Sequence, residues 1–396
     1  MTRFFLFFFY LIFIHIHLQA QSPRPIFEAE ESGPGISETK SYLPLIKGKN
    51  IGVIANQTSI YHNTHLIDTL VSEGIIVKKI FSPEHGFRGN IGEGLHISNG
   101  IDDKTGIEII SLYGNNKKPK AEQLNDIDIL LFDLQDVGTR FYTYISTLTY
   151  VMEAAAENDI PVIVLDRPNP NGFYIDGPVL ESENSSFVGM NEIPIVYGLT
   201  IGEYAMMVNG ESWLKDGIKC DLTVIPMSNY DRRAIYKLPV KPSPNLPNWE
   251  SVYLYPSLCL FEGTVVSVGR GTDKPFQIYG HPQIKGDFSF TPKNNNSGAV
   301  LLYENELCHG ENLNKYAHDN KDHEGKIVLD WLVDSYNQLK DKEVFFNNYF
   351  IKLSGTKSLQ NQIESGENIK KIRISWKDGI EKYRKIRIKY LLYPDF

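Results

Sequence analysis

Cysteine is scarce in this chain, which contains Cys220, Cys259 and Cys308 and no others among its 396 residues. So small and odd a number argues against the disulfide framework that stabilises small secreted domains. The sequence also lacks paired cysteine and histidine motifs with the spacing of a structural zinc site. We therefore expect the thiols to be buried and free, with at most one pair among them.

Charge of one sign is nowhere concentrated into a block. The formal net charge is −8, and acidic and basic residues are interspersed along the chain. Nucleic acids and anionic membrane surfaces attract basic stripes, so the sequence predicts neither as a partner.

The signature motifs of several enzyme classes are missing. The first predicted strand is not followed by GxGxxG, and no GxxxxGK[ST] loop occurs, so a nucleotide phosphate would lack its glycine-exposed N–H groups. The sequence Gly269-Arg270-Gly271 resembles such a glycine-rich phosphate loop only weakly. No GxSxG serine elbow and no HExxH zinc motif is present. We therefore predict no cofactor and no metal ion, although scattered acidic and histidine residues keep a metal-dependent hydrolase as an alternative.

The one long hydrophobic run lies at the N-terminus. Arg3 precedes the apolar residues 4–14, and residues 18–20 (LQA) end in a small side chain. This order is typical of a secretory signal peptide, and the apolar stretch is short for a membrane span. We expect residues 1–20 to be cleaved on export to the periplasm or beyond the cell, leaving no stable membrane anchor; a retained anchor is the alternative.

The length predicts two domains, because 396 residues exceed one ordinary core. From residue 50 onward, apolar strand-like runs alternate with helix-like segments. This alternation predicts an α/β fold with a Rossmann-like, doubly wound parallel sheet. The proline-rich segment 239–247 marks the expected boundary. We assign residues 21–42 to a leader, 43–247 to the Rossmann-like catalytic domain, and 248–396 to a smaller α+β domain that completes a cleft. In this second domain we expect strands near residues 372–376.

Residues 128–172 form the stretch around which the chain is organised. Apolar runs at 129–132 and 160–165 flank residues 141–158, whose apolar side chains are at helical spacing, which indicates a βαβ unit. Polar residues follow both strands: Asp133, Gln135, Asp136 and Arg140 after the first, and Asp166, Arg167, Asn169 and Asn171 after the second. Parallel strands present their carboxyl ends at one rim, where ligands bind, so we expect these residues to lie close together.

A carboxylate also follows an earlier strand, at 75–81. Glu84 lies between Pro83 and His85, and a carboxyl group at such a rim, shielded by Phe87, is suited to general acid catalysis. Aromatic residues near the same rim, such as Tyr142, are interleaved with Asp, Asn and Arg. That mixture is typical of a sugar site.

Each candidate has a purely structural alternative. Asp136 can cap the helix that follows it and pair with Arg140, and Asp166 can pair with Arg167. Tyr142 can face the core. Glu262 and Arg270 can simply neutralise each other.

Five motifs, in order and spread over the chain after residue 20, resemble the exo-β-N-acetylmuramidase NamZ family, glycoside hydrolase family 171. They are residues 82–89 (SPEHGFRG), 133–144 (DLQDVGTRFYTY), 165–172 (LDRPNPNG), 242–247 (PSPNLP), and 261–264 (FEGT) with 269–273 (GRGTD). The resemblance implies a Rossmann-like domain and a smaller second domain with the active site between them. It also implies release of N-acetylmuramic acid from the non-reducing ends of peptidoglycan fragments.

The resemblance implies roles for individual residues. Glu84 matches the glutamate of the family's EHG motif as catalytic acid/base, with His85 beside it and Asp136 or Glu262 as the second carboxylate. The 2-acetamido group of the substrate permits substrate-assisted catalysis instead. Arg140, Arg167 and Arg270 are candidates to bind the lactyl carboxylate, since a guanidinium suits a carboxylate. The other substrate-binding candidates are Gln135, Tyr142, Asp166, Asn169 and Glu262.

A protein of another class would share this cleft. A non-catalytic protein that binds cell-wall sugars needs the aromatic and polar residues but has no use for Glu84. The intact EHG motif therefore favours the enzyme, with peptidoglycan-derived saccharides as its partners.

Overall fold

A computed structural model describes residues 24–83, 86–88, 99–294, 301–321 and 325–396. The predicted signal segment and the pair Glu84 and His85 lie outside these residues. Within the described ranges, no helix combines the length and the apolar character needed to cross a membrane.

A seven-stranded sheet forms the centre of the first half of the chain. Its strands are β1 (Asn50–Ala55), β2 (Ile76–Ser82), β3 (Gly100–Ile101), β4 (Glu108–Ser111), β5 (Ile129–Asp133), β6 (Val162–Leu165) and β7 (Leu222–Ile225). The spatial order is β7-β6-β5-β1-β2-β4-β3, and every neighbouring pair is parallel except β3 with β4. The chain builds outward from β1 to one side and then returns to build the other side from β5. The predicted doubly wound, Rossmann-like sheet is confirmed.

Alternating side chains of the buried strands face opposite layers of helices. Leu130 and Phe132 belong to the core under α3 (Tyr144–Glu157) and α4 (Ile201–Gly210). Ile129 and Leu131 belong to the core under α1 (Thr39–Ile46) and α2 (Leu66–Ser72). Both faces of β5 are therefore buried, which explains why its sequence is apolar without alternation.

Helix α3 is central to the position of the site. Eleven of its fourteen residues are buried, including the polar Ser146, Thr147 and Thr149. It begins at Tyr144, three residues later than the sequence predicted. The reason is a turn before it, in which the Arg140 N–H donates to the carbonyl of Ile195 and the Tyr142 N–H to that of Thr139. This turn fixes the residues that follow β5.

Residues 24–42, predicted to be a leader, are part of the fold. A strand at Ile26–Glu28 pairs in parallel with Ile235–Lys237. Tyr42 is fully buried, and the Gly35 N–H donates to the carbonyl of Asp166 at 2.8 Å. The low hydrophobicity of this segment concealed that its few apolar side chains enter the core.

The second half of the chain is α+β, as predicted. Its described residues form α5 (Trp249–Leu258), a 3₁₀ turn (Cys259–Gly263), an antiparallel sheet of β8 (Ile278–His281), β9 (Phe288–Phe290) and β10 (Cys308–Asn312) in the order β8-β10-β9, and six further helices. These are α6 (Asn314–Asn320), α7 (Asp330–Leu339), α8 (Tyr349–Ser354), α9 (Ser358–Glu364), α10 (Ile369–Ser375) and α11 (Lys377–Arg387). Apolar residues of this half, among them Phe261, Leu353 and Tyr383, join the same core as α3 and α4.

The predicted strands near residues 372–376 are wrong, because this segment is helix α10. Ile372 and Trp376, four residues apart, are buried on one face, whereas Ile374 is exposed. The alternating Ile-Arg-Ile pattern suggested a strand. The side chains that pack into the core are instead four residues apart, which is helical spacing.

The last residues of the chain return to the sheet of the first half. The backbone N–H of Leu392 donates to Glu203 on α4, and the Tyr393 hydroxyl donates to Asp166 at 2.6 Å. Arg387 holds Asp395 with two hydrogen bonds of 2.6 and 2.8 Å. These hydrogen bonds hold the C-terminal residues against the carboxyl end of β6.

The three cysteines are free and buried, as expected from their number.

Candidate active site

A cavity of about 270 Å³ lies where the segments after β4 and β5 meet the second half of the chain. Its lining combines aromatic rings with hydroxyl, amide and charged groups. Residues that contribute are Lys117, Tyr142, Phe187, Ser243, Asn245, Tyr255, Glu262, Arg270, Phe276 and Tyr349. A concave mixture of rings and a few polar groups suits a saccharide.

Tyr142 anchors the aromatic part of the cavity. Its ring lies edge-on to Tyr144, at 4.9 Å between centroids, and to Tyr255 at 6.2 Å. Its hydroxyl donates to the carbonyl of Pro242 at 2.6 Å, within the 242–247 motif. The ring is therefore held in place before any ligand arrives. Tyr142 lines the cavity, and its role in binding substrate stays a prediction.

Glu262 and Arg270 are the charged pair of the cavity. Glu262 lies in the 3₁₀ turn after α5 and accepts a hydrogen bond from the Arg270 guanidinium through Oε1. Its Oε2 faces the Cys259 thiol at 3.6 Å, and Arg270 lies 5.4 Å from the Phe276 ring centroid. The two residues neutralise each other's charge, as the structural alternative predicted. They also line the cavity, as the predicted substrate contact requires.

The residues on either side of Glu84 and His85 are well anchored. Pro83 follows β2, and its carbonyl accepts a hydrogen bond from the Gly86 N–H at 3.3 Å. Arg88 forms two hydrogen bonds with Asp102, of 2.7 and 2.8 Å, and these lower the pKa of Asp102 to about 2.

Arg140 does not line the cavity. Its guanidinium is fully buried and donates to four backbone carbonyls, those of Pro178, Ile193, Leu353 and Ser354, at 2.7 to 3.0 Å. The last two belong to the final turn of α8, where carbonyls lack intrahelical partners. Gly355, at φ 76°, ends that helix, and a Cβ there would lie 2.5 Å from the guanidinium. This corrects the expectation that Arg140 contacts a ligand, because all these donors hold the fold together.

Arg167 also has a structural partner. It forms a buried, two-pronged pair with Asp133 at 2.5 and 2.9 Å, and further bonds to the Ile60 carbonyl. Asp133 ends β5 and Arg167 follows β6, so the two polar clusters meet at one rim as predicted. The pair with Asp133 occupies two nitrogens of the guanidinium, and Arg167 does not line the cavity, so its role in binding a lactyl group stays a prediction.

Asp166 serves the N-terminus of α4. Its carboxylate accepts hydrogen bonds from the Gly202 N–H, the Thr200 hydroxyl and the Tyr393 hydroxyl, each at 2.6 to 2.8 Å. Burial raises the pKa of this carboxyl to about 6 against the opposite effect of these donors. Asp166 is fully buried and does not reach the cavity, which corrects its predicted contact with substrate.

Gln135 and Asn169 hold the rim loops from inside. The Gln135 amide donates to the carbonyls of Asp136 and Pro168 at 2.8 and 2.7 Å. The Asn169 amide donates to the carbonyl of Leu199 at 2.7 Å. Both side chains are buried and neither lines the cavity, so the structure replaces their expected ligand contacts with loop contacts.

Asp136 is buried against Tyr197, outside the cavity lining. It accepts hydrogen bonds from the Tyr197 hydroxyl and from the Gly138 N–H, the latter at 2.6 Å. Burial raises the pKa of Asp136 to about 7. The bond to Gly138 lies in the turn before α3, so Asp136 neither caps that helix, whose N-cap is Thr143, nor pairs with Arg140. Glu262 is then the candidate second carboxylate that lines the cavity.

We expect Asp136→Asn to change the pH dependence of stability and to leave turnover nearly intact. Between the unfolded pKa of 3.8 and the folded value of about 7, the folded state keeps a proton that the unfolded state has lost, so wild-type stability falls as pH rises through this window. Asparagine removes that dependence. Urea unfolding should show the variant gaining about 2 to 3 kcal/mol relative to wild type between pH 5 and pH 8. Loss of activity without this gain would instead identify Asp136 as a catalytic carboxylate.

Several lining residues were not identified from the sequence. Lys117 follows β4, and Phe187 and Asn245 lie in loops. The rule that located the other rim residues, a polar side chain after a parallel strand, also applies to Lys117. In the described part of the chain, no three histidine, cysteine or acidic side chains converge as a metal site requires.

Two family models cover nearly all of the described chain. "Exo-beta-N-acetylmuramidase NamZ, N-terminal" matches residues 51–250, and "Exo-beta-N-acetylmuramidase NamZ, C-terminal" matches residues 253–393. A curated relative, peptidoglycan beta-N-acetylmuramidase NamZ of Bacillus subtilis (strain 168), is 41% identical over 383 residues, which is 89% of each chain.

Two solved structures share the fold of this chain. A DUF1343 family protein from Bacteroides fragilis NCTC 9343 is 46% identical with a TM-score of 0.85, covering 92% of this chain and 99% of that one. A second protein of that family and strain is 29% identical with a TM-score of 0.80, covering 91% and 99%. The two matched family models and the relative that is 41% identical over 89% of the chain lead to one conclusion: the chain belongs to the exo-β-N-acetylmuramidase NamZ family.

Proposed function

We propose that this protein is an exo-β-N-acetylmuramidase, a glycoside hydrolase that removes N-acetylmuramic acid from the non-reducing ends of peptidoglycan fragments. The observation that carries the proposal is family membership over nearly the whole chain, together with intact motifs. The cavity supports it, because rings such as Tyr142 and Tyr255 suit the apolar face of a sugar and the amide and hydroxyl groups suit its hydroxyls.

In this proposal Glu84 is the general acid that protonates the glycosidic oxygen and then the base that activates water. His85 lies next to it in the chain. Glu262, the carboxylate that lines the cavity, is the enzyme's second acidic group. Its two oxygens have separate neighbours, Arg270 and Cys259, so its orientation is defined before substrate binds. The acetamido group of the sugar supplies the nucleophile if Glu262 only orients it.

We also propose that the protein acts outside the cytoplasm, after cleavage behind Ala20. Its substrate lies there, and residues 1–20 have the composition of a signal peptide. The mass of the protein recovered from the periplasm or medium should correspond to a chain that begins at Gln21. A full-length mass would indicate a retained anchor.

Hydrolysis of a chromogenic β-N-acetylmuraminide, measured beside the matching β-N-acetylglucosaminide, tests the proposed reaction. We expect release from the muraminide and little from the glucosaminide. No release from either, combined with calorimetric binding of a muramyl disaccharide, would make the protein a sugar-binding member of the family.

A further inference from the structure

Two cations line the cavity among the described residues, Arg270 and Lys117. The proposed substrate carries one negative charge that the corresponding glucosamine unit lacks, on the lactyl ether at its O3. A cation that binds this carboxylate therefore sets the selectivity between the two sugars. The surroundings of the two cations differ.

Arg270 already has a carboxylate against it. Its guanidinium donates to Glu262, and the Phe276 ring lies beside it. A substrate carboxylate approaching Arg270 would also meet the negative charge of Glu262, which opposes it. The charge of this pair is balanced before substrate arrives.

Lys117 has no such partner. Its side chain is half-buried, and its Nζ lies 4.3 Å from the centroid of the Phe187 ring, a cation–π contact. It forms no ion pair with any carboxylate of the described residues. The next residue, Lys118, shows the contrast, since its Nζ pairs with Glu153 at 3.2 Å and Glu157 at 2.7 Å and does not line the cavity.

We propose that Lys117 binds the lactyl carboxylate of N-acetylmuramic acid and is the specificity-determining residue of the cavity. The inference rests on the proposed function and names the residue that reads its substrate. The Lys117 ammonium group contacts an aromatic ring and lines a concave surface, and no carboxylate of the described residues pairs with it. This arrangement attracts an anion. Lysine supplies up to three donors on a flexible stem and adapts to a carboxylate on a rotatable lactyl arm.

The test compares Lys117→Met with wild type on the chromogenic muraminide and glucosaminide. Because a hydrogen bond between charged groups contributes about 1.5 to 3 kcal/mol, we expect KM for the muraminide to rise about 10- to 100-fold. The lactyl group is remote from the scissile bond, so kcat should change little. Activity on the glucosaminide should not change, and Lys117→Arg should recover most of the lost affinity.

Lys118→Met is the matched control, because it removes an adjacent lysine that faces Glu153 and Glu157 instead of the cavity. It should leave KM for the muraminide unchanged. A muraminide whose lactyl carboxylate is converted to a methyl ester is the second control. The KM of wild type should rise on the ester by the same factor as the KM of Lys117→Met rises on the free acid. Lys117→Met should show the same KM for the ester and the free acid. Equal losses on both sugars, or an unchanged KM, would overturn the proposal.

Binding measurements test the role of Lys117 independently of the proposed reaction. If wild type hydrolyses neither sugar, the proposed reaction fails, and calorimetry with N-acetylmuramic acid and N-acetylglucosamine still measures selectivity. A preference for the muramic sugar that Lys117→Met abolishes supports the inference. A preference that survives in Lys117→Met but is lost in Arg270→Gln assigns the carboxylate to Arg270 and overturns it.

Discussion

Replacing Glu84 with glutamine is expected to lower kcat on the β-N-acetylmuraminide by about 10²- to 10⁴-fold, the usual contribution of a general acid or base. Glutamine keeps the size and polarity of the side chain but cannot give up a proton to the leaving oxygen. Binding of a muramyl disaccharide should survive. The expected result is therefore a variant that binds the muramyl disaccharide but hardly hydrolyses the β-N-acetylmuraminide.

Steady-state kinetics and calorimetry on the same preparation check this expectation. Glu108→Gln is a suitable control, since Glu108 begins the neighbouring strand β4 and is exposed. It should retain full activity. An aryl glycoside with a better leaving group should recover part of the rate in Glu84→Gln, because such a group departs with less help from an acid. A fully active Glu84→Gln protein would remove Glu84 from the mechanism.

Replacing Arg140 with methionine is expected to lower the free energy of unfolding by about 3 to 5 kcal/mol. The substitution leaves four buried carbonyls without the donors they now share, and each buried acceptor without a partner costs about 1 to 3 kcal/mol. Methionine fills much of the volume but donates nothing. The loss falls on the contact between the segment after β5 and the C-terminus of α8.

Urea unfolding followed by circular dichroism measures this loss. Arg233→Met provides the control, because Arg233 is exposed and its partner among the described residues is Asp231, so the free energy of unfolding should stay close to that of wild type. If Arg140→Met unfolds like wild type and yet fails to bind a muramyl saccharide, Arg140 contacts the ligand after all. Kinetics below the unfolding transition of the variant distinguish the two cases.

The sheet and its rim could be predicted because their signals are local. The apolar runs of β5 and β6, each followed by polar residues, placed Asp133 and Arg167 at one edge, where they pair. What the signals did not determine is whether a rim side chain points inward or into the cavity. For Arg140 the answer depends on carbonyls more than 200 residues later in the chain. No pattern around Arg140 carries that information.

The same reasoning explains why Lys117 was missed. On its own it is one lysine among several in a polar loop after β4. Its position becomes informative only when Phe187 supplies the ring and the second half of the chain supplies the opposite lining. Selectivity in this cavity is a property of the assembled fold, whereas the EHG motif is visible in the sequence.

The attachment of the C-terminus has a consequence for how the chain is made. Synthesis runs from the N-terminus, so Asp166 and Glu203 leave the ribosome long before Leu392 and Tyr393, which supply donors to them. Until then Asp166 has its bonds from Thr200 and Gly202, and Glu203 has its pair with Arg232, but each lacks the donors that residues 392 and 393 add. The first half of the protein therefore cannot complete its hydrogen bonding before residues 392 and 393 have been synthesised.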